Sequence, residues 1–330
     1  MSASQLPSGN GPLACIEKDL QAVEELLDRQ AASEVPVASD VCRHVHRAGG
    51  KRLRPTLLIL TARALGCRDD SPLWAAAAVE MIHAATLLHD DVVDGATKRR
   101  GTETAAAIWG PTAAIMSGDI LLARSLAILV ERSLSEVLHR LAGTATTMCR
   151  AELMQSLHRG RLDVDLDTYL EVIRGKTADF LAACCESGAI VAERPDLQPA
   201  AARYGLNLGI AFQITDDLLD YFGDPLVTGK PVGADLRERK PTIPLILALG
   251  SAPPEEADRL ESLSSLGPKL TAAQFAEVQS ILIRMGIPER VSGLADHYAN
   301  QAVRELTAFP DTPETAALVA IAADLAHRRA

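Results

Sequence analysis

An acidic pattern that occurs twice inside apolar sequence constrains this chain most. Residues 87–94 read LLHDDVVD and residues 212–220 read FQITDDLLD, with aspartates at positions i, i+1 and i+4 in both copies. Aspartates four positions apart share one face of a helix, where their like charges repel each other. The pattern therefore predicts two helices that face each other across bound cations.

The chemistry of these side chains indicates which cation they bind. Magnesium prefers hard oxygen ligands, retains several waters and is commonly completed by substrate phosphates. One cluster alone is equally well explained as the solvated end of a helix. Two copies, which we expect inside apolar helices and not at helix caps, favour a magnesium site that binds a diphosphate. The candidate metal ligands are Asp90, Asp91, Asp94, Asp216, Asp217 and Asp220.

The rest of the chain predicts an all-α fold. Apolar residues make up 48% of the sequence and aromatic residues only 3%, so a large core must be built from Ala, Leu, Ile and Val. Glycine and proline divide the chain into segments of helical length, and we expect no sheet. No linker separates two halves. We predict a flexible N-terminus over residues 1–12 and a single helical-bundle domain over residues 13–330, around a central cavity.

Charge and composition exclude several function classes. A net charge of −10 argues against general binding to nucleic acid or to an anionic membrane surface. The longest apolar stretches are interrupted by Glu80, His83 or Glu186, so we expect no integral membrane segment. The six cysteines lack zinc-ligand spacing and are interpreted as small buried side chains in a reducing compartment. These features predict a cytoplasmic protein.

Cations are concentrated beside the acidic motifs, as an acidic protein that binds diphosphates requires. Residues 49–55 read GGKRLRP, which places Lys51 and Arg54 next to a flexible glycine pair. Residues 97–101 read TKRRG and follow the first aspartate cluster directly. Lys176 and Lys230 add single positive charges. Any one of these residues alone is more typical of a solvated surface, and only their alignment with the aspartates favours a phosphate-binding role.

The ordered set of motifs resembles the trans-type polyprenyl diphosphate synthase family, most closely its long-chain octaprenyl and decaprenyl members. The resemblance runs from about residue 49 to residue 244. It rests on GGKRLRP, LLHDDVVD with its trailing RRG, ExxQ, KTA, and FQITDDLLDYFGD followed by GK and a further aspartate. It implies the type I isoprenoid synthase fold, three Mg²⁺ ions held by the six aspartates, and a supporting role for Asp235.

The resemblance also assigns the substrate-binding residues. Those matching the isopentenyl diphosphate site are Lys51, Arg54, His83 and Arg100. Those matching the allylic diphosphate site are Arg99, Lys176, Thr177, Gln213, Lys230 and Lys240. A lone histidine in an apolar helix is usually a core residue, but His83 precedes Asp90 by two helical turns and so lies on nearly the same face.

This family condenses isopentenyl diphosphate head to tail with an allylic diphosphate. Magnesium and the cations draw off the diphosphate, the resulting allylic cation is attacked by the isopentenyl double bond, and loss of a proton restores an allylic product. Residues one turn before the first aspartates stand where the product tunnel begins. In the family, bulky aromatic side chains at this point stop chain growth early, so the small Ala85 and Thr86 imply, by resemblance, a long-chain all-trans polyprenyl diphosphate for a quinone side chain.

Other functions stay open at this point. A short-chain farnesyl or geranylgeranyl diphosphate synthase shares every motif except the tunnel residues. A class I terpene cyclase shares the fold and the first cluster, but GGKRLRP and the second DDxxD argue against it. A non-catalytic subunit of a heteromeric synthase commonly loses aspartates, and here all six are present. By resemblance, we expect a homodimer.

Overall fold

The computed structural model describes residues 11–50, 52–99, 101–224 and 232–327. Helices dominate these residues, which confirms the all-α prediction. The helices of the N-terminal part are α1 Glu17–Gln30, α2 Pro36–Arg47, α3 Leu53–Ala64, α4 Ser71–Val93, α5 Ala105–Trp109, α6 Pro111–Glu131, α7 Ser135–His158 and α8 Leu166–Ile173. The C-terminal part contributes α9 Asp179–Val191, α10 Gln198–Phe222, α11 Ala234–Arg237, α12 Ile243–Leu249, α13 Pro254–Ser265, α14 Ala272–Arg284, α15 Ile287–Glu305 and α16 Pro313–His327.

One prediction of the sequence needs correction, because a small antiparallel hairpin is present. Strand β1 (Lys98–Arg99) pairs with strand β2 (Thr102–Glu103) across Gly101, whose φ of +80° suits glycine. The side chain of Thr104 then accepts a hydrogen bond from the amide of Ala107 and so caps α5. The hairpin contains basic side chains and places them near the end of α4.

The chain forms two compact units. Unit 1 comprises residues 1–142, 183–202 and 306–320, and unit 2 comprises residues 143–182, 203–305 and 321–330. Helices α7, α9, α10 and α16 contribute residues to both. The prediction of one domain over residues 13–330 stays a prediction, and most of the expected flexible N-terminus lies outside the described residues.

In unit 1, α4 packs closely against α6 through small side chains. Ala114, Ser117 and Gly118 on α6 are buried. A Cβ atom on Gly118 would stand 2.4 Å from Nε2 of His89, so only glycine allows this contact. The close approach fixes the last turns of α4, where the first aspartate cluster lies.

In unit 2, a continuous apolar core fixes the second cluster. Ile210, Ile214 and Leu218 on α10 are buried together with Tyr169 and Ile173 of α8. The core extends to the apolar faces of α12, α14 and α15. Since α8 and the last turns of α10 share this core, polar side chains on both can reach each other.

Two helices are long and apolar enough to cross a membrane by length and composition. Ser71–Val93 has 67% of its most apolar window buried inside the fold, as a core helix does, whereas the corresponding value for Pro111–Glu131 is 39%. Pro111–Glu131 contains none of the three interrupting residues on which the expectation of no membrane segment rests. Four cysteines are buried as expected, but Cys15 and Cys149 are exposed, and all six are free thiols.

Candidate active site

The first aspartate cluster occupies the C-terminal end of α4. Asp91 is buried, Asp90 is half-buried, and Asp94 is the exposed residue that caps the helix. The second cluster lies in the last two turns of α10, which ends at Phe222. The expectation that both clusters lie inside helices and not at their caps is therefore wrong for the first cluster.

The position at helix ends strengthens the case for a cation. The C-terminus of a helix carries a partial negative charge, so carboxylates are unfavourable there and cations are favourable. At Asp90, Asp91 and Asp94 in the first cluster and at Asp220 in the second, all within the last turn of their helix, this effect adds to the repulsion between aspartates four positions apart. A divalent ion would relieve both.

Arg99 supplies part of that compensation in unit 1. Its Nε donates a hydrogen bond of 2.7 Å to Oδ1 of Asp91, whose side chain is only 6% exposed. The β-hairpin brings Arg99 to the end of α4, as the spacing in the sequence predicted. Its neighbour Arg100, assigned to isopentenyl diphosphate, lies outside the described residues.

The other unit 1 candidates lie on α3 and α4. Arg54 is half-buried in the first turn of α3, and Lys51 lies outside the described residues. His83 is half-buried on α4, and its carbonyl accepts a hydrogen bond of 2.8 Å from the hydroxyl of Thr86. Ala85 is almost fully buried. Their roles in substrate binding and chain length stay predictions.

Asp217 in unit 2 is held at both oxygens. The hydroxyl of Tyr169 donates to Oδ2 at 2.7 Å and Nε2 of Gln213 donates to Oδ1 at 2.7 Å. Oε1 of Gln213 in turn accepts from the hydroxyl of Thr177 at 3.0 Å. Burial, together with the charges of Asp216 and Asp220, raises the pKa of Asp217 to about 7 despite these hydrogen bonds.

Two further carboxylates, those of Asp220 and Asp235, lie near Asp217. Asp220 accepts hydrogen bonds from the backbone amides of Ala234 (3.2 Å) and Asp235 (3.1 Å) at the start of α11. Burial raises the pKa of Asp220, and burial with the charges of Asp217 and Asp220 raises the pKa of Asp235 well above its usual range. Asp235 therefore lies beside the second cluster, as the resemblance implied.

These residues fit a magnesium ion. Burial, with the charges of neighbouring aspartates, raises the pKa values of Asp217 and Asp220, so a divalent cation beside them would stabilise their ionised forms. Among the described residues, no group of three or more His, Cys, Asp or Glu side chains already has metal-binding geometry. Magnesium does not require one, because it is usually held by one or two carboxylates, several waters and substrate phosphates.

Lys176 and Thr177 lie in a short π-helical segment, Arg174–Ala178, between α8 and α9. Segments of this kind occur frequently at functional sites. Nζ of Lys176 donates to Oε1 of Gln155 at 2.7 Å and lies 2.5 Å from Oε2 of Glu152. The ExxQ motif of α7 therefore holds the lysine of the KTA motif.

The last two candidate cations are near the second cluster in sequence. The amide of Lys240 donates to the carbonyl of Asp235 at 2.9 Å, and Nζ of Lys240 lies 2.5 Å from Oε2 of Glu238. Lys230 lies outside the described residues. Lys240 is thus anchored next to Asp235, while its predicted contact with a diphosphate stays a prediction.

Tyr169 is a site residue that the sequence did not predict. A single tyrosine in an apolar helix, 48 positions before its partner, carries no local signal of a functional role. The sequence did not predict roles for Arg52 and Glu80 either. In the sequence, Arg52 is one of three cations in GGKRLRP, and Glu80 is a charge that interrupts an apolar stretch. Only the contacts of these three side chains in the folded protein indicate that they support the site.

Comparison with known proteins identifies relatives over nearly the whole chain. The model of the polyprenyl synthetase family matches residues 35–281. Heptaprenyl diphosphate synthase component 2 from Geobacillus stearothermophilus is 38% identical, over 89% of this chain and 91% of that protein.

Solved structures agree with the sequence relatives. The crystal structure of a decaprenyl diphosphate synthase from Rhodobacter capsulatus superposes with a TM-score of 0.91 at 36% identity, covering 97% of this chain and 98% of that one. A polyprenyl synthase from Caulobacter crescentus CB15, complexed with calcium and isoprenyl diphosphate, gives a TM-score of 0.90 at 38% identity, with 97% of each chain covered. These matches confirm the type I isoprenoid synthase fold.

Proposed function

The chain belongs to the polyprenyl synthetase family, and we propose that it is a prenyltransferase that condenses isopentenyl diphosphate with an allylic diphosphate. The observation that carries this proposal is the group of carboxylates around the end of α10, where Tyr169 and Gln213 hold Asp217 and the backbone amides of Ala234 and Asp235 hold Asp220. Such a group calls for a divalent cation, and the solved relative from Caulobacter crescentus CB15 was crystallised with calcium and an isoprenyl diphosphate.

Magnesium is the proposed cofactor, and three ions per active site are proposed on resemblance. Asp90, Asp91 and Asp94 would hold it at the end of α4, and Asp216, Asp217 and Asp220 at the end of α10. When bound, it would act as a Lewis acid that stabilises the negative charge of the departing diphosphate.

The basic side chains complete the chemistry. Lys176, held by Gln155 and Glu152, would neutralise charge on the leaving diphosphate, as would Arg99 after exchanging its bond to Asp91. Gln213 and Thr177 would position the same group. Ionisation of the allylic C–O bond leaves a cation, the isopentenyl double bond attacks it, and the departing diphosphate removes the proton.

The test is elongation by the purified chain alone. Radiolabelled isopentenyl diphosphate with farnesyl diphosphate and Mg²⁺ should give a longer allylic diphosphate, and Asp216→Asn should lower the rate about 100-fold or more. Asp216 is exposed, so the variant should fold. Asp258→Asn, at an exposed position of α13, is the matched control with unchanged rate. Cyclic hydrocarbon products would favour the cyclase, and inactivity of the pure chain would favour a non-catalytic subunit.

A long-chain all-trans polyprenyl diphosphate, made for a quinone side chain, is the more specific proposal. Support comes from the small side chains at Ala85 and Thr86 and from the heptaprenyl and decaprenyl synthases among the relatives. A short-chain farnesyl or geranylgeranyl product is the alternative. Mass spectrometry of the product made with excess isopentenyl diphosphate separates the two by mass.

A homodimer is proposed from the exposed face of α6. Met116, Ile120 and Val130 are 51%, 40% and 63% exposed, and Ala123 and Ala127 continue the same stripe. The intervals of four, three, four and three residues are those of helices that pair side by side. We propose that a second copy of this chain covers the stripe and that the protein is cytoplasmic.

Light scattering tests the dimer. The wild type should have twice the mass of the chain, and Met116→Asp with Ile120→Asp should convert it to a monomer, because charge on the stripe would be buried without a partner. A wild-type monomer, or a dimer that survives both changes, contradicts this proposal. Recovery of the wild type only with membranes would favour a lipid-facing role for the stripe.

A further inference from the structure

Arg52 has a backbone conformation that is uncommon for a residue with a side chain. It immediately precedes α3, with φ 47° and ψ 34° in the left-handed region. This region costs roughly 1–2 kcal/mol for residues other than glycine. Residues in such conformations persist only where surrounding contacts hold them, and they cluster at functional sites.

The side chain of Arg52 provides those contacts. Nε donates to Oε1 of Glu24 at 2.6 Å, and Nη1 donates to Oε1 of Glu80 at 2.7 Å. Nη2 donates to Oε2 of Glu24 at 3.2 Å and to the carbonyl of His46 at 3.0 Å. The side chain of Arg52 is 11% exposed and that of Glu80 7% exposed. One side chain thus joins α1, α2, α4 and the start of α3.

This network is a costly way to obtain stability alone. Burying charged groups requires their desolvation, and apolar side chains of similar size often stabilise a fold as well or better. A planar guanidinium that binds two carboxylates at fixed angles does, however, define one geometry for the backbone around it. The network is better suited to fixing a conformation than to contributing stability.

The conformation that it fixes belongs to the proposed isopentenyl diphosphate site. Arg52 stands between Lys51 and Arg54 in the sequence, and Glu80 precedes His83 by one helical turn on α4. These neighbours are three of the four residues assigned to that diphosphate. We propose that Arg52 is a positioning residue, which holds the start of α3 against α4 so that Arg54 and His83 bind isopentenyl diphosphate. This inference rests on the proposed function.

The same helix offers a matched control. Arg63, near the other end of α3, is also 11% exposed, and its guanidinium binds the carboxylate of Asp19 at 2.9 and 3.0 Å. It lies about 16 Å from Arg52 along the helix axis. Removing either arginine leaves a carboxylate without its partner, but only Arg52 adjoins the candidate substrate residues.

The experiment compares Arg52→Gln with Arg63→Gln in the full-length protein. Both should lower the melting temperature to a similar extent. Arg52→Gln should raise KM for isopentenyl diphosphate about tenfold or more and change KM for the allylic diphosphate less than twofold. Arg63→Gln should leave both KM values within twofold of the wild type. Glu80→Gln, which removes the charge with little change of shape, should also raise KM for isopentenyl diphosphate selectively, and it decides the matter if Arg52→Gln does not fold.

The failures of the two proposals are distinguishable. If the wild type does not elongate allylic diphosphates, the proposed function is wrong. If the wild type elongates them but Arg52→Gln or Glu80→Gln raises both KM values equally, or raises neither, Arg52 has no positioning role. A selective rise in KM for Arg63→Gln would also overturn it, because the effect would then follow from any loss of a buried ion pair on α3.

Discussion

Replacing Tyr169 by phenylalanine removes a single oxygen from the second cluster. The phenol donates a hydrogen bond of 2.7 Å to Oδ2 of Asp217, and both residues are buried. The ring itself packs in the core of unit 2 and is retained in the variant. The change therefore leaves the packing intact and frees one carboxylate oxygen from its restraint.

The expected magnitudes follow from this contact. A hydrogen bond to a charged group contributes about 1.5–3 kcal/mol, so the free energy of unfolding should fall by an amount in that range. Loss of a partner that orients a metal ligand typically weakens metal binding by about 10–100-fold. The hydrogen bond from Tyr169 also opposes the effect of burial on the pKa of Asp217, so its removal raises that pKa further above about 7.

The first measurement is the Mg²⁺ concentration that gives half-maximal elongation, determined between pH 6.5 and 8.5. The second is calorimetry of Mg²⁺ binding in the presence of an allylic diphosphate analogue. The variant should need more Mg²⁺, and the difference should be largest at pH 6.5, where more of Asp217 is protonated. Tyr298→Phe, on α15 beside His297, is the control. An unchanged Mg²⁺ requirement in a folded Tyr169→Phe variant would refute the reasoning.

Three further predictions follow from individual residues. Asp217→Asn should abolish elongation and stabilise the metal-free protein at pH 8 by about 1–3 kcal/mol. The reason is that the pKa of Asp217 in the folded protein, about 7, lies above its usual value, so the stability that protonated Asp217 contributes is lost as the pH rises through 7. Thermal unfolding at pH 5 and pH 8 tests this, and an equal effect of the substitution at both pH values would contradict it. Burial raises the pKa of Glu24, but hydrogen bonds from His46 and Arg52 outweigh burial and lower that pKa to about 2. Glu24→Gln should therefore lower the free energy of unfolding by on the order of 2–3 kcal/mol at pH 6. In denaturant titrations, this loss should shrink as the pH falls from 5 toward 2. Ala85→Phe should shorten the product seen by mass spectrometry, and a folded variant with unchanged product length would exclude Ala85 from the tunnel.

Much of the fold and of the candidate site was readable along the chain. The aspartate spacing, the cations that follow it and the predominance of helix formers each depend on neighbouring residues, because a helix is built from local contacts. The same local rule failed where an element depends on its surroundings. The hairpin at Lys98–Glu103 has only two residues in each strand, too few for any alternating pattern.

The position of each cluster within its helix was also decided outside the local pattern. Asp94 caps α4 because the chain turns at Gly95, whose φ is +62°. An apolar stretch before the aspartates indicated a helix but carried no information on where the helix ends. The effect of the helix dipole on these carboxylates therefore depends on where α4 and α10 end in the folded chain.

The sequence by itself determined the kind of chemistry, because carboxylates at helical spacing and the cations near them are fixed by their order along the chain. The tertiary structure alone decided which side chains hold that chemistry in place. Tyr169 meets Asp217 across 48 positions, and Arg52 meets Glu24 and Glu80 across 28 positions each. Such pairs form only when the chain folds, since side chains this far apart in sequence are brought together by the packing of whole helices.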